Sequence, residues 1–195
     1  MDQYFVNNEN LKSEIKKVNT VIHSISYYFY TDNGVFSKGE LDFGTELLLK
    51  TFEYTYPQEK CLLDIGCGAG PIGIYASKLG FDVDMCDINK RAIHISKMAI
   101  KQQKLSANVF VSDAYCNINR KYDYILSNPP IRVGKKKLYE IVMNAKDYLK
   151  EKGEVWLVVR KDKGADSLIK DMKKYYSKIE VIKKKKGFYI IKAQI

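Results

Sequence analysis

Short apolar runs along the chain alternate with longer segments whose apolar residues recur every three or four positions, a pattern of strands separated by helices. Cys61-Leu62-Leu63-Asp64-Ile65 reads as a first buried strand, residues 83–86 as a second, 108–112 as a third, Tyr124-Ile125-Leu126 as the core of a fourth and 154–160 as a fifth. Helices are expected over 45–52, 71–79 with Pro71 at its start, 90–104 after an Asn89 cap, 136–149 and 166–176. Two last strands, over 178–182 and 188–193, are joined too briefly for a crossover helix and should be antiparallel. Upstream, a polar helix is expected over 11–18, and Asp32-Asn33-Gly34 between two aromatic segments favours a tight hairpin turn. The fold class predicted is α/β: a Rossmann-like, mainly parallel sheet with an antiparallel C-terminal hairpin and helices on both faces. Residues 1–195 read as one domain with an N-terminal helix and hairpin extension over about 1–40.

Composition narrows the setting. With 195 residues, 46% of them hydrophobic, the chain can bury one substantial core. It has no apolar stretch near the roughly 18 residues of a membrane span, and Met1-Asp2-Gln3-Tyr4 does not begin a basic-then-apolar leader, so a cytoplasmic location is expected. Cys61, Cys67, Cys86 and Cys116 form no paired spacing and read as small reduced core residues. His23 and His94 lack metal-site spacing, and no metal is expected. Lysine and arginine outnumber aspartate and glutamate by 33 to 23, a net charge of +10 that suits an acidic polymer as partner.

Chemistry gathers at the strand ends. Gly66-Cys67-Gly68-Ala69-Gly70 follows the first strand and leads into a helix, so its backbone can approach a nucleotide-like ligand without Cβ atoms in the way. Gly68-Ala69-Gly70-Pro71-Ile72-Gly73 also matches a dinucleotide fingerprint, and Asp87 after the second strand suits ribose hydroxyls under either reading. Asp64 separates the two in part: a carboxylate just before the turn repels a pyrophosphate and suits the ammonium of a methionine moiety. Asp113 follows the third strand and Asn128-Pro129-Pro130 the fourth, so polar groups stand at four successive strand ends, which line one crevice in an open α/β sheet. The Asn128 amide oxygen and the Pro129 carbonyl can each accept one hydrogen of a planar NH2 group.

Asp64-Ile65-Gly66-Cys67-Gly68-Ala69-Gly70, Asp87, Asp113 and Asn128-Pro129-Pro130 together resemble class I S-adenosylmethionine-dependent methyltransferases acting on exocyclic or amide nitrogens. Thr31-Asp32-Asn33-Gly34-Val35-Phe36-Ser37, Leu41-Asp42-Phe43-Gly44-Thr45 and Ile131-Arg132-Val133-Gly134-Lys135 narrow the resemblance to the small-domain family related to 16S ribosomal RNA guanine-N2 methyltransferases. Larger members carry a second, degenerate copy of the domain, which this chain is too short to include. The resemblance implies S-adenosyl-L-methionine as cofactor, with Asp64, Gly66, Gly68 and Gly70 at its methionine portion, Asp87 at its ribose and Asp113 at its adenine amine. Phe36 and Thr45 are placed near the methionine end. Asn128, Pro129 and Pro130 take the catalytic position, and Ile131, Arg132 and Lys135 the substrate side. Ile131 departs from the aromatic residue that many nitrogen methyltransferases carry there, so stacking on the base must come from elsewhere.

The implied activity is methylation of the exocyclic N2 amine of a guanine in small-subunit ribosomal RNA, with RNA or the subunit as partner. The same pocket chemistry also suits adenine N6 or a protein glutamine, and a noncatalytic RNA-binding module keeps the fold. Arg132, Lys135, Lys136 and Lys137, with Arg160, Lys161 and Lys163, are expected to ring the crevice mouth and meet phosphates. Lys183-Lys184-Lys185-Lys186 reads as a hairpin turn whose charges lie in water.

Overall fold

The computed structural model describes residues 12–35, 39–129 and 134–195. Among these, a central sheet holds seven strands in the order β5 (Asn108–Val111), β4 (Asp82–Asp87), β3 (Cys61–Ile65), β6 (Tyr122–Ser127), β7 (Leu149–Arg160), β9 (Phe188–Gln194) and β8 (Lys178–Lys185). β5, β4, β3, β6 and β7 pair in parallel, while β9 is antiparallel to both β7 and β8. A two-residue turn, Lys186-Gly187 with φ of 47° and 78°, joins the last pair. The Rossmann-like class expected from the sequence is the one observed.

Strand residues alternate between two cores because both sheet faces are covered. Leu62, Tyr124, Leu126, Trp156 and Val158 face one layer, formed by α1 (Phe43–Thr51), α2 (Pro71–Leu79) and α3 (Lys90–Gln102), with β1 (Lys16–Ile22) and β2 (Ile25–Thr31) beyond. Leu63, Ile65, Ile125, Val155 and Leu157 face α4 (Lys135–Asn144) and α5 (Ala165–Met172) on the other side. The chain runs outward from β3 through β4 to β5, then crosses back to β6 on the opposite flank of β3. This reversal opens a crevice above the carboxyl ends of β3 and β6, the position where such sheets bind ligands.

Several local expectations are corrected. The helix expected over 11–18 is absent from the described residues: 12–15 have no regular secondary structure and strand β1 starts at Lys16; residue 11 lies outside the described residues. Leu11, Ile15, Val18 and Ile22 are spaced as on a helix, but Val18 and Ile22 also share one face of a strand, and antiparallel pairing with β2 decides between them. The N-terminal hairpin turns at His23-Ser24, both at positive φ, and not at Asp32-Asn33-Gly34. The latter is a turn leaving β2, closed by the Val35 N–H donating to the Asp32 carbonyl at 3.1 Å. The helix expected to reach 149 stops at Asn144, and β7 begins at Leu149, five residues before the sequence pattern suggests. A bulge opposite Tyr122 and Tyr124 absorbs the polar residues 150–153. Cys61, Cys67 and Cys86 are buried as expected, whereas Cys116 is exposed.

Candidate active site at the carboxyl edge of the sheet

The glycine turn and the Asn128 segment are tied together at the switch point. The Ser127 hydroxyl, at the end of β6, donates to the Ile65 carbonyl at the end of β3 at 2.8 Å. The Gly66 and Cys67 N–H groups donate to the Cys86 carbonyl at the end of β4, at 2.9 and 3.0 Å. Three neighbouring strand ends therefore fix the loop between them.

Asp64 is fully buried on the α2 side of β3 and accepts the Gly73 N–H at 2.8 Å through Oδ2, while its Oδ1 is buried without a hydrogen-bond partner. Burial pushes its carboxyl up to about 7, against the pull of the Gly73 N–H, with the nearby Asp87 adding to the rise. An unpartnered buried carboxylate oxygen is what a ligand ammonium would satisfy. Asp87 accepts the Gly68 N–H at 2.9 Å and the Asn89 N–H at 2.8 Å, one on each oxygen. Burial raises its carboxyl and these N–H groups pull it back part of the way. Gly68 has φ of +53° and open space where a Cβ would stand, so its backbone forms a cradle a ligand can enter. Asn89 caps α3 through Oδ1 and donates from Nδ2 to the Gly34 carbonyl at 2.8 Å. The segment after β2 is thus docked beside Asp87.

Asn128 is held by two groups on the opposite wall. Its Nδ2 donates to Asp42 Oδ1 and to Thr45 Oγ1, both at 3.0 Å. Asp42 is the N-cap of α1, and the same oxygen accepts the Thr45 N–H at 3.1 Å. A carboxylate only accepts, so the amide group facing it must be the NH2, and Oδ1 is left as the end available to a substrate amine.

The expected residues are brought together unevenly. Asp64, Gly66, Gly68, Gly70 and Asp87 share the β3–β4 edge, and Asn128 and Pro129 follow β6 beside them. Thr45, expected near the methionine end, bonds the Asn128 amide. Asp113 is half exposed and paired with Lys137, which also meets Glu140 at 2.9 Å. Lys137 is therefore engaged within the protein, and Arg160 likewise forms a two-pronged pair with Asp162 at 2.9 and 2.8 Å. Lys135 lies 5.0 Å from the Tyr139 ring. Phe36, Pro130, Ile131 and Arg132 lie outside the described residues. Ser127 carries no signal in the sequence, and Asp42 stands out there only as part of a motif; its place as a helix cap, three residues before Thr45, is the signal that marks it.

Residues 26–192 match the family described as methyltransferase small domain. The chain belongs to this family. Among its relatives, the uncharacterized protein YbxB of Bacillus subtilis (strain 168) is 36% identical over 199 residues, covering 99% of this chain and 98% of that protein. The ribosomal RNA small subunit methyltransferase C of Pasteurella multocida is 40% identical over 135 residues, covering 66% of this chain and 40% of the relative. The T. thermophilus 16S rRNA N2 G1207 methyltransferase, solved with AdoMet and guanosine, superposes with a TM-score of 0.83 at 22% identity, covering 94% of this chain and 51% of that one. That likeness establishes the small-domain fold. The chain spans about two fifths to one half the length of these named methyltransferases. Among the described residues, no helix is long and apolar enough to cross a membrane.

Proposed function

We propose that this protein is an S-adenosylmethionine-dependent methyltransferase acting on the exocyclic N2 amine of a guanine in small-subunit ribosomal RNA, in the cytoplasm. The observation that carries the reading is the anchored Asn128 amide, whose Nδ2 is taken by Asp42 and Thr45 beside a glycine cradle. The ribosomal RNA methyltransferases among its relatives support the reading, as does the net charge of +10.

The residues fit the cofactor. Asp64 Oδ1 lacks a partner, Gly68 leaves open space, and Asp87 stands at the next strand end. Asp64 would meet the methionine ammonium, Asp87 the ribose hydroxyls and Asp113 the adenine amine. When bound, the sulfonium supplies an electrophilic methyl group.

An amine conjugated to a purine is a weak nucleophile because its lone pair is spread into the ring. Asn128 Oδ1 and the Pro129 carbonyl accept its two hydrogens and turn the lone pair out of the ring plane. The Asp42 carboxylate, bonded to the far end of the amide, polarises it and makes Oδ1 a better acceptor. As positive charge grows on nitrogen, these fixed dipoles are already aimed at it. Alignment of the two reactants supplies roughly 7–11 kcal/mol in well-oriented systems. No strong base is needed before transfer, because the methylated ammonium is acidic. The target base must be unpaired or flipped, at a cost of a few kcal/mol.

The test is methyl transfer from radiolabelled S-adenosylmethionine to ribosomal RNA and to subunits from cells lacking the gene, followed by nuclease digestion. Labelled N2-methylguanosine is expected. Labelled N6-methyladenosine or a labelled protein glutamine would overturn the substrate assignment.

A further inference from the structure

The lysine run at 183–186 stands at the carboxyl edge of the sheet, next to the anchored amide. Antiparallel pairing puts Phe188, the first residue of β9, opposite Arg160, the last of β7, and the Lys161 N–H donates to the Gly187 carbonyl at 2.8 Å. The hairpin tip is thereby fixed at the end of β7, one strand from Asn128. Phe188 packs on Phe43, ring centroids 5.5 Å apart, and Lys186 Nζ lies 5.0 Å from the Phe43 ring. Arg160 sits over the Phe188 ring at 5.5 Å. Phe43 directly follows Asp42, which holds Asn128. An aromatic floor edged by cations therefore begins where the amide anchor ends.

The charge there is unbalanced. Lys161, Lys163 and Lys183 to Lys186 are exposed, and among the described residues none of them is ion-paired with a carboxylate. The acid nearest Lys161 and Lys163 in sequence is Asp162, already paired with Arg160, and the acid nearest Lys183 is Glu180, paired with Lys178 at 3.0 Å. Gathering like charges at the end of β8, its turn and the segment after β7 is unfavourable unless a polyanion meets them. Part of the stacking surface missing at Ile131 lies here too, since Phe43 and Phe188 are only partly buried.

We propose that the β8–β9 tip, with Lys161 and Lys163 and the Phe43–Phe188 floor, docks the single-stranded RNA segment flanking the methylated nucleotide. The lysines take its phosphates, and a neighbouring base stacks against the aromatic floor. The inference rests on the reading of the site as an RNA methyltransferase and adds the surface that holds its substrate.

The test compares Lys185→Glu/Lys186→Glu with Lys97→Glu/Lys101→Glu, an equal charge change on the exposed side of α3. Binding of small-subunit ribosomal RNA is followed by filter retention across a KCl series, alongside methyl-transfer kinetics and calorimetry of S-adenosylmethionine. The hairpin variant should bind RNA at least roughly tenfold more weakly near 0.1 M salt and lose about 1.4 from the salt slope, two phosphate contacts at about 0.7 each. Its KM for RNA should rise while cofactor affinity, which also reports folding, stays. The α3 variant should change RNA binding by less than about threefold. Equal weakening in both variants would reduce the effect to net charge and overturn the inference, as would unchanged RNA binding in the hairpin variant. If the wild type methylates RNA in either case, the function stands and only the docking surface falls. If the wild type neither binds nor methylates RNA and labels a protein instead, both fall.

Discussion

Asp42 Oδ1 lies 3.0 Å from Asn128 Nδ2 across 86 residues of sequence, and the same oxygen caps α1 by accepting the Thr45 N–H. One carboxylate thus starts a helix and sets the orientation of the amide proposed to face the substrate. The two jobs separate by mutation. Asp42→Ser keeps a helix cap but is too short to reach Asn128, so it should melt near the wild type and lose about tenfold or more in kcat. Asp42→Ala should lose kcat similarly and about 1 kcal/mol of stability as well. Asn128→Ala should cut kcat by roughly 10²–10³ with cofactor affinity retained. Wild-type turnover in Asp42→Ser, at saturating cofactor, would show that the Asp42 anchor is dispensable and that Thr45 alone suffices.

Asp64 makes the ligand-free protein sensitive to pH. Its carboxyl is raised to about 7 in the folded state, against about 4 in an unfolded chain, so the folded state holds the proton more tightly. Stability should therefore fall as pH rises from about 4 through about 7 and carry a penalty on the order of 4 kcal/mol above that. Asp64→Asn preserves an acceptor for the Gly73 N–H and should flatten this dependence, read as melting temperature against pH. Cofactor binding favours the ionised form, so below about pH 7 it should release a proton, seen by calorimetry in buffers of different ionisation enthalpy. A variant as pH-dependent as the wild type would remove Asp64 from the account.

Two glycines should fail in different ways. A Cβ at Gly73 would stand 2.4 Å from Met85 Cγ and 2.6 Å from its Sδ, in the buried contact between α2 and β4. Gly73→Ala should cost about 1–3 kcal/mol by overpacking, and Met85→Ala should recover part of that in the double variant. At Gly68 the space is open and only the φ of +53° resists, a cost of about 1–2 kcal/mol. Gly68→Ala should lose cofactor affinity well beyond what that strain explains, because the added methyl enters the ligand cradle. Calorimetry and thermal melts on both variants read the contrast directly.

Ser127 is buried, and its hydroxyl closes the gap between β3 and β6 on the Ile65 carbonyl. Ser127→Ala leaves that carbonyl without its partner, at about 1–3 kcal/mol. It should also lower kcat several-fold, since Asn128 follows directly. Single-turnover kinetics with saturating cofactor would isolate the effect; an unchanged rate would show that β6 holds its end without this bond.

The glycine turn, the strand ends and the alternation of strands with helices were legible because each is a local signal: a short apolar run, a glycine at fixed spacing, a polar residue closing a strand. The N-terminal strand was not, since Ile15, Val18 and Ile22 fit a helix as well as a sheet and only pairing with β2 resolves them. The start of β7 at Leu149 was hidden by the polar bulge at 150–153. Lys137 and Arg160 read as free cations, although Asp113 and Asp162 hold them.

By itself, then, the sequence determined where ligand-binding chemistry gathers along the chain, because backbone freedom at Gly66, Gly68 and Gly70 and donor–acceptor chemistry at Asp64, Asp87 and Asn128 belong to the residues themselves. Tertiary structure decided which way the Asn128 amide faces and where the lysine hairpin stands. Both depend on groups distant in sequence, Asp42 with Asn128 and Gly187 with Lys161, that meet only when β6, β7 and β9 are laid side by side.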